Sequence, residues 1–311
     1  MVAYSNKRNL PQTYVNACMK IASQYDKGRS DYTASQLSKS ARQVVLEQEN
    51  SDKIIIDVSD LTWSVFGTVG HSIFENATTT GTTEQRVYST YDGPYGGTVL
   101  GGQLDLIQPI DGDPFHVDVW DYKFVNTWAV IFDTKDKWTE QQNVYKNLLE
   151  RNGYKVNSLN ILAIFKNWSE KEKHKKNYPP HDVMPYRLIE WDREKTEKFI
   201  LERLQKLEDA KTNLPLCTPE EQWRRGETWA VVTEQGGRAL SGGVCSSRED
   251  AISVARSNYS NVKNVGVEHR RSIAKNCESY CNARDFCSQF KEEQKLGKSI
   301  FKPLTKKEKE K

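Results

Sequence analysis

The stretch "VDVWDYKFV" at residues 117–125 has the composition of a β-strand, but two charged residues interrupt its apolar run. Asp121 and Lys123 are two positions apart, so on a strand both side chains point to the same face. Such a pair is either a salt bridge at the protein surface or part of a chemical site. The strand that precedes it helps to distinguish the two interpretations.

A second interrupting carboxylate, Asp105, lies on the preceding predicted strand, "GGQLDLI". The turn-rich segment "QPIDGDPF" joins the two strands and is centred near position 113. Asp105 and Asp121 are equally far from this centre, so a hairpin would bring them opposite each other. Two carboxylates and Lys123 would then meet, and such a group can hold Mg²⁺ or Mn²⁺ beside a phosphate.

The order of predicted elements around these strands is α/β. Apolar residues at helical spacing predict helices in "DYTASQLSKSARQVVLEQ" and "LTWSVFGTVGHSIFENA", and three strands follow. A helix over 136–151, closed by Gly153, precedes the strand "SLNILAIFKNW" and a long amphipathic helix. We therefore predict an α/β core with a mixed central sheet flanked by helices over residues 31–212, after an N-terminal extension over 1–30.

The segment after the core differs in character. "WAVVTEQGGRALSGG" predicts a hairpin, "SSREDAISVARSN" predicts a capped helix, and three cysteines follow in "CESYCNARDFC". We predict an α+β C-terminal lobe over residues 213–290 that is clamped by its cysteines. The lysine-rich end, residues 291–311, is predicted to be a basic flexible tail.

Composition adds limits on the class of protein. The 311-residue chain carries a net charge of only +3, so its total charge indicates no polyanionic partner, although local basic clusters can bind phosphates. Apolar runs such as "LNILAIF" are too short to cross a bilayer, and the first residues lack the pattern of a secretory signal. These features predict a cytoplasmic protein without membrane association.

The motifs named above resemble those of the PD-(D/E)XK nuclease superfamily, and specifically its RecB-type branch. "GGQLD" and "DVWDYK" are similar to the core motif of that family. "GTVGHSIFE" resembles the helix with a metal-binding histidine, here His71, and Glu84 stands where the family often has a glutamate. Gln141 and Tyr145 match its Q-x-x-x-Y motif. The resemblance spans roughly residues 30–290 and is strongest to phage-encoded, exonuclease-like members with a C-terminal cysteine cluster.

This resemblance implies a Mg²⁺- or Mn²⁺-dependent deoxyribonuclease. It implies that Lys123 helps to activate water, and that exonuclease action serves recombination or DNA end processing. The implied partners are DNA and a strand-annealing recombination protein, and the implied location is the bacterial host cytoplasm if the chain is phage-encoded. The implied metal ligands are His71, Asp105, Asp121 and the carbonyl of Tyr122, and the implied catalytic group is Asp105, Asp121, Lys123, Gln141, Tyr145 and Glu84.

Several alternatives stay open from the sequence. An endonuclease has the same motifs, because preference for DNA ends depends on the shape of the channel. A non-catalytic DNA-binding or scaffold protein on a nuclease fold is another alternative. Taken singly, His71 is also compatible with a hydrogen-bonded core histidine and Gln141 with the boundary of an amphipathic helix.

Cys277, Cys281 and Cys287 form a tight group that indicates a metal site rather than disulfides in a cytoplasmic chain. Zinc and iron–sulfur sites both need a fourth ligand, for which Cys217 is the candidate. In RecB-branch nucleases with a [4Fe–4S] cluster, the first cysteine usually precedes the core, where this chain has Ser40. Spacing leaves Zn²⁺ and [4Fe–4S] open, and the resemblance favours the cluster. Buried thiols without a metal, or a zinc-based nucleic-acid module, are further alternatives.

Overall fold

The computed structural model describes residues 3–23, 27–93, 96–132, 135–224, 226–297 and 299–305. The chain divides into two compact units, Met1–Pro215 and Leu216–Lys311, close to the boundary predicted at residue 212. Among the helices of the described residues, none combines the length and apolar composition that are needed to cross a membrane.

The first unit alternates helices with the strands of a mixed sheet, which confirms the α/β class and the mixed central sheet flanked by helices. The predicted helix over 136–151 is present and is followed by Gly153 with a left-handed φ of 89°. In chain order its elements are β1 (Ala3–Ser5), α1 (Gln12–Ser23), β2 (Tyr32–Thr33), α2 (Ala34–Leu37), α3 (Ala41–Glu49), β3 (Ile55–Asp57), α4 (Thr62–Ala77), β4 (Thr82–Gly93), β5 (Gly96–Ile110), β6 (Asp113–Val125), α5 (Trp128–Ile131), α6 (Lys135–Arg151), β7 (Lys155–Phe165), β8 (Val183–Arg187) and α7 (Arg193–Ala210).

The main sheet has the order β2-β5-β6-β7-β8, with β4 on the other edge of β5. Strand β6 is antiparallel to β5 and parallel to β7, and β7 is antiparallel to β8. The short β2 is parallel to β5, whereas the long β4 is antiparallel to it. The sheet is therefore mixed, with β5 and β6 in its middle.

One edge of β5 is shared by two strands, and this opens a gap in the sheet. β2 pairs with β5 at Leu100 and Gly101, whereas the β5–β6 pairing reaches only as far as Leu106 opposite Trp120. β6 then continues along β7 as far as Val125. We call the place where β6 leaves β5 the sheet fork. The next residues on the two strands are Asp105 and Asp121, in the register that the hairpin argument predicted.

Helices cover both faces of the sheet at the fork. Alternate residues of a strand point to opposite faces, and Phe124 packs toward α4 whereas Lys123 contacts Gln141 of α6. Gly70 lets α4 approach closely, because a Cβ at this position would lie 2.0 Å from the Phe124 ring. The apolar core of this unit includes the buried side chains of Leu104, Val119, Leu148, Leu159 and Ile200.

The segment predicted as an N-terminal extension is ordered where it is described. Strand β1 pairs with β3, and α1 packs against α4 through a small cluster with Val15, Cys18 and Val58 at its centre. This cluster supports the helix that carries His71.

The second unit is an antiparallel sheet with a helix on it. Its elements are β9 (Thr228–Val232), β10 (Val244–Cys245), α8 (Arg248–Tyr259), β11 (Gly266–Arg270), α9 (Lys275–Ser279), α10 (Ser288–Lys295) and β12 (Ser299–Pro303). The strand order is β10-β9-β11-β12, and α8 buries Ala251 and Ala255 against Val231 and Val267. This α+β arrangement follows the hairpin and helix that the sequence predicts.

The prediction of a flexible tail over 291–311 is wrong for the part that is described. Helix α10 continues to Lys295, and β12 forms the edge of the second sheet, with Phe301 opposite Glu268. Leu304 is buried in the core of this unit. The tail prediction gave weight to the many lysines and overlooked a short apolar segment, "SIFKPL", which adds the edge strand to the sheet of the second unit. Residues 306–311 lie outside the described part.

Candidate functional site

Three side chains from three different elements converge at the sheet fork. His71 comes from α4, Glu84 from β4 and Asp105 from β5. The Nδ1 atom of His71 lies 3.5 Å from Oε1 of Glu84 and 3.5 Å from Oδ2 of Asp105. One possible ligand atom from each residue lies within 4.8 Å of the others. One imidazole and two carboxylates at this spacing can hold a divalent metal ion.

Glu84 is held in an unusual backbone conformation. Its φ is 50°, in the left-handed region that non-glycine residues rarely adopt, although it lies inside a long strand. Gln103 donates a hydrogen bond of 2.6 Å from Nε2 to Oε2 of Glu84, and Arg86 donates to Oε1 of Gln103. Strain of this kind clusters at functional sites. The chain thus places this carboxylate against His71 at a local energetic cost.

Asp105 accepts a hydrogen bond from a backbone N–H that has no strand partner where the pairing of β5 and β6 stops. The backbone N–H of Tyr122 donates to Oδ2 of Asp105 at 2.7 Å, so a side chain replaces a backbone partner at the fork. Burial raises the pKa of Asp105 to about 7, and the charge of Asp121 raises it too, against opposing effects of His71 and the Tyr122 N–H. Because burial makes this carboxyl costly to ionise, a bound cation would stabilise its charged form.

The histidine and the glutamate are each shifted toward their charged forms. Burial lowers the pKa of His71, but contact with Glu84 and the charges of Asp105 and Asp121 outweigh it, so the pKa lies above its ordinary value. The contact with His71 holds the pKa of Glu84 below its ordinary value, against the effect of burial. The fork therefore attracts positive charge.

Asp121 and Lys123 form the second half of the site. Asp121 is 3% exposed, and the Lys123 Nζ atom lies 2.6 Å from its Oδ2 atom. This contact is an ion pair, and among the described residues no donor makes a hydrogen bond to the same buried oxygen. Together with Glu84, Asp105 and His71, this carboxylate forms a set of donors that fits a hard divalent metal ion.

Gln141 and Tyr145 hold the lysine from the α6 side. Gln141 donates from Nε2 to the Tyr145 hydroxyl at 2.8 Å, which turns its Oε1 toward Lys123 at 3.3 Å. Burial raises the pKa of Tyr145, so its hydroxyl stays neutral at any ordinary pH. Gly102 makes room for this ring, because a Cβ there would lie 2.7 Å from it. The predicted pair thus orients Lys123.

The structure groups the predicted ligands differently from the resemblance. His71 and Asp105 stand together as predicted, but their third neighbour is Glu84, and Asp121 lies beside Lys123. Tyr122 contributes its N–H to Asp105, while its ring packs on Phe74 with centroids 4.5 Å apart. The reason is the fork, because β6 turns away from β5 at this point.

Gln103 is a site residue that sequence reasoning missed. It lies in the same "GGQLD" motif as Asp105, and its amide joins Glu84 to Arg86. The available signal was a polar side chain two positions before the aspartate on a strand that is otherwise apolar.

A groove leads from solvent to this site. Its volume is about 1010 Å³, and it runs between α1 and α4. Lys20 and Arg86 are the basic residues along it, and His71, Glu84 and Gln103 lie at its inner part. The groove therefore gives access from solvent to His71 and Glu84.

The four predicted metal-binding cysteines all belong to the second unit. Cys277 and Cys287 are buried, Cys217 and Cys281 are half-buried, and all four are thiols rather than disulfides. Burial, together with the charges of the other three thiols, raises the pKa of Cys277 to about 12. That mutual influence indicates that the thiols lie near one another. It is also what a metal would relieve, because metal-bound cysteines are thiolates.

Backbone contacts bring the distant Cys217 to the cysteine run. The Cys217 N–H donates to Oε1 of Gln289 at 2.8 Å, and Nε2 of Gln289 donates to the Cys217 carbonyl at 3.0 Å. Gln289 lies just after Cys287, at the start of α10. On the other side, the Cys281 N–H donates to the carbonyl of Asn276 at 2.9 Å. One glutamine side chain thus fixes both backbone groups of Cys217.

Comparison with known proteins adds little to this description. No protein-family model matches the chain, and no curated protein matches it either. Among solved structures, the chain is similar to the crystal structure of SSO0001 at 14% sequence identity and a TM-score of 0.44. The match covers 62% of this chain and 83% of that chain. A likeness at this level carries no conclusion about function.

Proposed function

We propose that this chain is a metal-dependent deoxyribonuclease with a PD-(D/E)XK core that hydrolyses phosphodiester bonds. The observation that carries the proposal is the buried carboxylate of Asp121 in an ion pair with Lys123, next to the group of His71, Glu84 and Asp105. Buried carboxylates of this kind are costly unless a cation compensates them. A lysine beside them adds the positive charge that a phosphate needs.

His71, Glu84 and Asp105 would hold Mg²⁺ or Mn²⁺, with Asp121 supplying a further oxygen from the other side of the fork. When bound, such an ion activates water and neutralises charge on the phosphate. The strained backbone of Glu84 has a use in this arrangement, because it turns the carboxylate toward His71.

Lys123 supplies a positive charge that would stabilise the transition state. Its ammonium group, held by Asp121 and Gln141, stabilises the negative charge that builds on the phosphate oxygens or orients the attacking water. Gln141 can hold it only because Tyr145 fixes the orientation of its amide. Tyr145 thus fixes Gln141, and Gln141 fixes Lys123. A donor that is held in place stabilises a transition state better than a mobile one.

The cysteine group has a separate role in this proposal. Cys217, Cys277, Cys281 and Cys287 would hold a [4Fe–4S] cluster or Zn²⁺ that joins the start of the second unit to its end. Four thiolates leave no open coordination position, so this metal stabilises the fold. We infer exonuclease action on DNA ends in recombination, with a strand-annealing protein as a partner and the bacterial cytoplasm as the location.

The test uses end-labelled linear DNA and circular DNA, each incubated with Mg²⁺ or Mn²⁺. We expect wild type to degrade the linear DNA and spare the circle, and we expect Lys123→Ala to cut neither DNA. Lys146→Ala is the matched control, because Lys146 pairs with Glu190 elsewhere on α6's surface and should leave cutting unchanged. Equal activity of wild type and Lys123→Ala would refute the site. DNA binding without any cutting by wild type would favour the non-catalytic scaffold.

A further inference from the structure

Two pairs of aromatic side chains are exposed on α4, the helix that carries His71, and just after β6, the strand that carries Lys123. Trp63 and Phe66 lie on α4 with ring centroids 5.9 Å apart, and Trp128 and Phe132 stack at 5.5 Å with ring planes 16° apart. Each of these four side chains is more than half exposed, at 58%, 59%, 53% and 58%. We call these four residues the aromatic platform. Single exposed apolar residues are ordinary, but paired large rings indicate a ligand surface.

Both pairs are tied to the end of β6 that follows Lys123. The N–H of Lys166 donates to the carbonyl of Val125, the last residue of β6, at 2.9 Å. The ammonium group of Lys166 lies 4.2 Å from the centroid of the Trp63 ring. Trp128 begins the short helix that follows β6 directly. Bound DNA that runs from Lys123 along the end of β6 would therefore pass either Trp63 or Trp128.

Exposed aromatic rings together with basic side chains are a common means by which proteins bind single-stranded nucleic acid. Each unpaired base has two faces that stack on an aromatic ring, and a nearby ammonium group pairs with the phosphate. A duplex covers the faces of its own bases, so it cannot use such rings. Lys166 combines both interactions, since its cation lies over Trp63 while it is held to the strand that carries Lys123.

We propose that the aromatic platform stacks the unpaired bases of a single-stranded DNA end whose phosphate lies at Lys123. This inference rests on the proposed function and names its substrate class, which is single-stranded DNA or a single-stranded overhang. Stacking reads no sequence, so the binding would be tolerant of base identity. The platform would hold the strand in position while the group at the fork acts on one phosphate.

The first measurement is binding without cutting, by fluorescence anisotropy in the full-length Lys123→Ala background. The probes are a labelled oligo(dT), an abasic strand of equal length and a blunt duplex. We expect oligo(dT) to bind at least about tenfold more tightly than the abasic strand, since stacking contributes about 1–3 kcal/mol per base. Equal affinity for the two strands would overturn the inference, because they differ only in their bases.

Variants locate the effect on the platform. Trp63→Ala and Trp128→Ala should each weaken binding of oligo(dT) by about 5- to 100-fold and leave the abasic strand unchanged. Trp63→Phe should restore part of the loss. Phe115→Ala is the matched control, because Phe115 is exposed to a similar extent but lies at the start of β6, the opposite end of the strand from Val125. These rings are exposed, so thermal unfolding should show intact folds. If Trp63→Ala does not fold, Phe132→Ala tests the same prediction.

Cutting by wild type separates failure of this inference from failure of the proposed function. A protein that cuts DNA but binds the abasic strand as tightly as oligo(dT) keeps the nuclease proposal and loses the platform. A protein that prefers bases but cuts nothing keeps the platform and loses the nuclease proposal. Unchanged DNA binding in Trp63→Ala together with a lower oligomeric state would assign these rings to contact between copies of the chain and overturn the inference.

Discussion

The two candidate metal sites differ in ligand chemistry and in access. The group at the sheet fork offers an imidazole and carboxylates, and 28% of the His71 side chain is exposed at a groove. The group in the second unit offers four thiols, of which Cys277 and Cys287 are buried. Oxygen ligands with open access are typical of a metal that meets substrate, whereas enclosed thiolates are typical of a structural metal.

The two sites also hold protons over different pH ranges. The pKa of Asp105 is raised to about 7, whereas that of Cys277 is raised to about 12. At neutral pH the carboxyl can release its proton readily, and the thiol cannot do so without a metal. The first site is therefore suited to reversible binding of a cation, and the second to a metal that enters during folding. The substitutions below test this contrast.

The largest effect is expected at the fork, from Asp121→Asn. This change keeps the shape of the side chain but removes the charge that faces Lys123, so DNA cutting should fall by about 10³-fold or more. Stability should fall slightly, because the change breaks the ion pair with Lys123, which keeps its contact with Gln141. Initial rates and urea unfolding measure the two quantities.

Asp118→Asn is the matched control for this change. Asp118 lies on the same strand but accepts hydrogen bonds from Asn157 and Ser158, away from the fork. Its substitution should lower stability slightly and leave cutting unchanged. If Asp121→Asn kept full activity, or if Asp118→Asn lost it, the assignment of the site to the fork would be wrong.

The opposite pattern is expected in the second unit, from Cys277→Ser. Loss of one buried thiolate should release the metal and lower the free energy of unfolding by about 3–5 kcal/mol. Elemental analysis for iron and zinc, together with visible absorbance, distinguishes a [4Fe–4S] cluster from Zn²⁺. Cys245→Ser is the control, since Cys245 lies on β10 and is not part of the group. An unchanged metal content in Cys277→Ser would refute the cysteine site.

Much of the site was predictable because it depends on local spacing. The hairpin symmetry placed Asp105 next to Asp121, and the helical stripe placed Gln141 and Tyr145 together. These relations follow from strand and helix periods, which a sequence carries directly.

The sheet fork was not predictable. The point where β6 leaves β5 depends on which strand pairs with the remaining residues of the same edge of β5. That strand is β2, which has only two residues and no strand signal of its own. For the same reason the backbone of Glu84 and its contact with His71 were not foreseen. The tail was misjudged differently, since its lysines outnumber the apolar residues that form β12.

A smaller effect, and one that depends on pH, is expected from Asp105→Asn. The folded-state pKa of Asp105 is about 7, above its ordinary value of 3.8, so the folded state keeps a proton that the unfolded state releases. Without metal, wild-type stability should therefore fall as pH rises from about 4 to 7. The variant escapes this loss and should be more stable than wild type by about 4 kcal/mol above pH 7, and equal to it below pH 4.

Urea unfolding across this pH range, with and without Mn²⁺, measures the effect. Mn²⁺ should stabilise wild type at pH 8 and have little effect on Asp105→Asn, because the ion replaces the proton on the carboxylate. A variant whose advantage over wild type did not change between pH 4 and pH 8 would show that burial does not shift the proton affinity of Asp105.

The smallest effect is expected from Gln289→Leu, which removes both hydrogen bonds to the backbone of Cys217 while all four thiols remain. Partners that only position a ligand usually contribute 10- to 100-fold to metal affinity, so the second unit should lose its metal to a chelator about 10- to 100-fold more readily. Gln294→Leu is the control, on the exposed side of the same helix α10. If both variants kept their metal equally well, Gln289 would only stabilise the chain locally. A loss confined to Gln289→Leu, with the Mn²⁺ affinity of the fork unchanged, would show that each metal site is held by its own contacts.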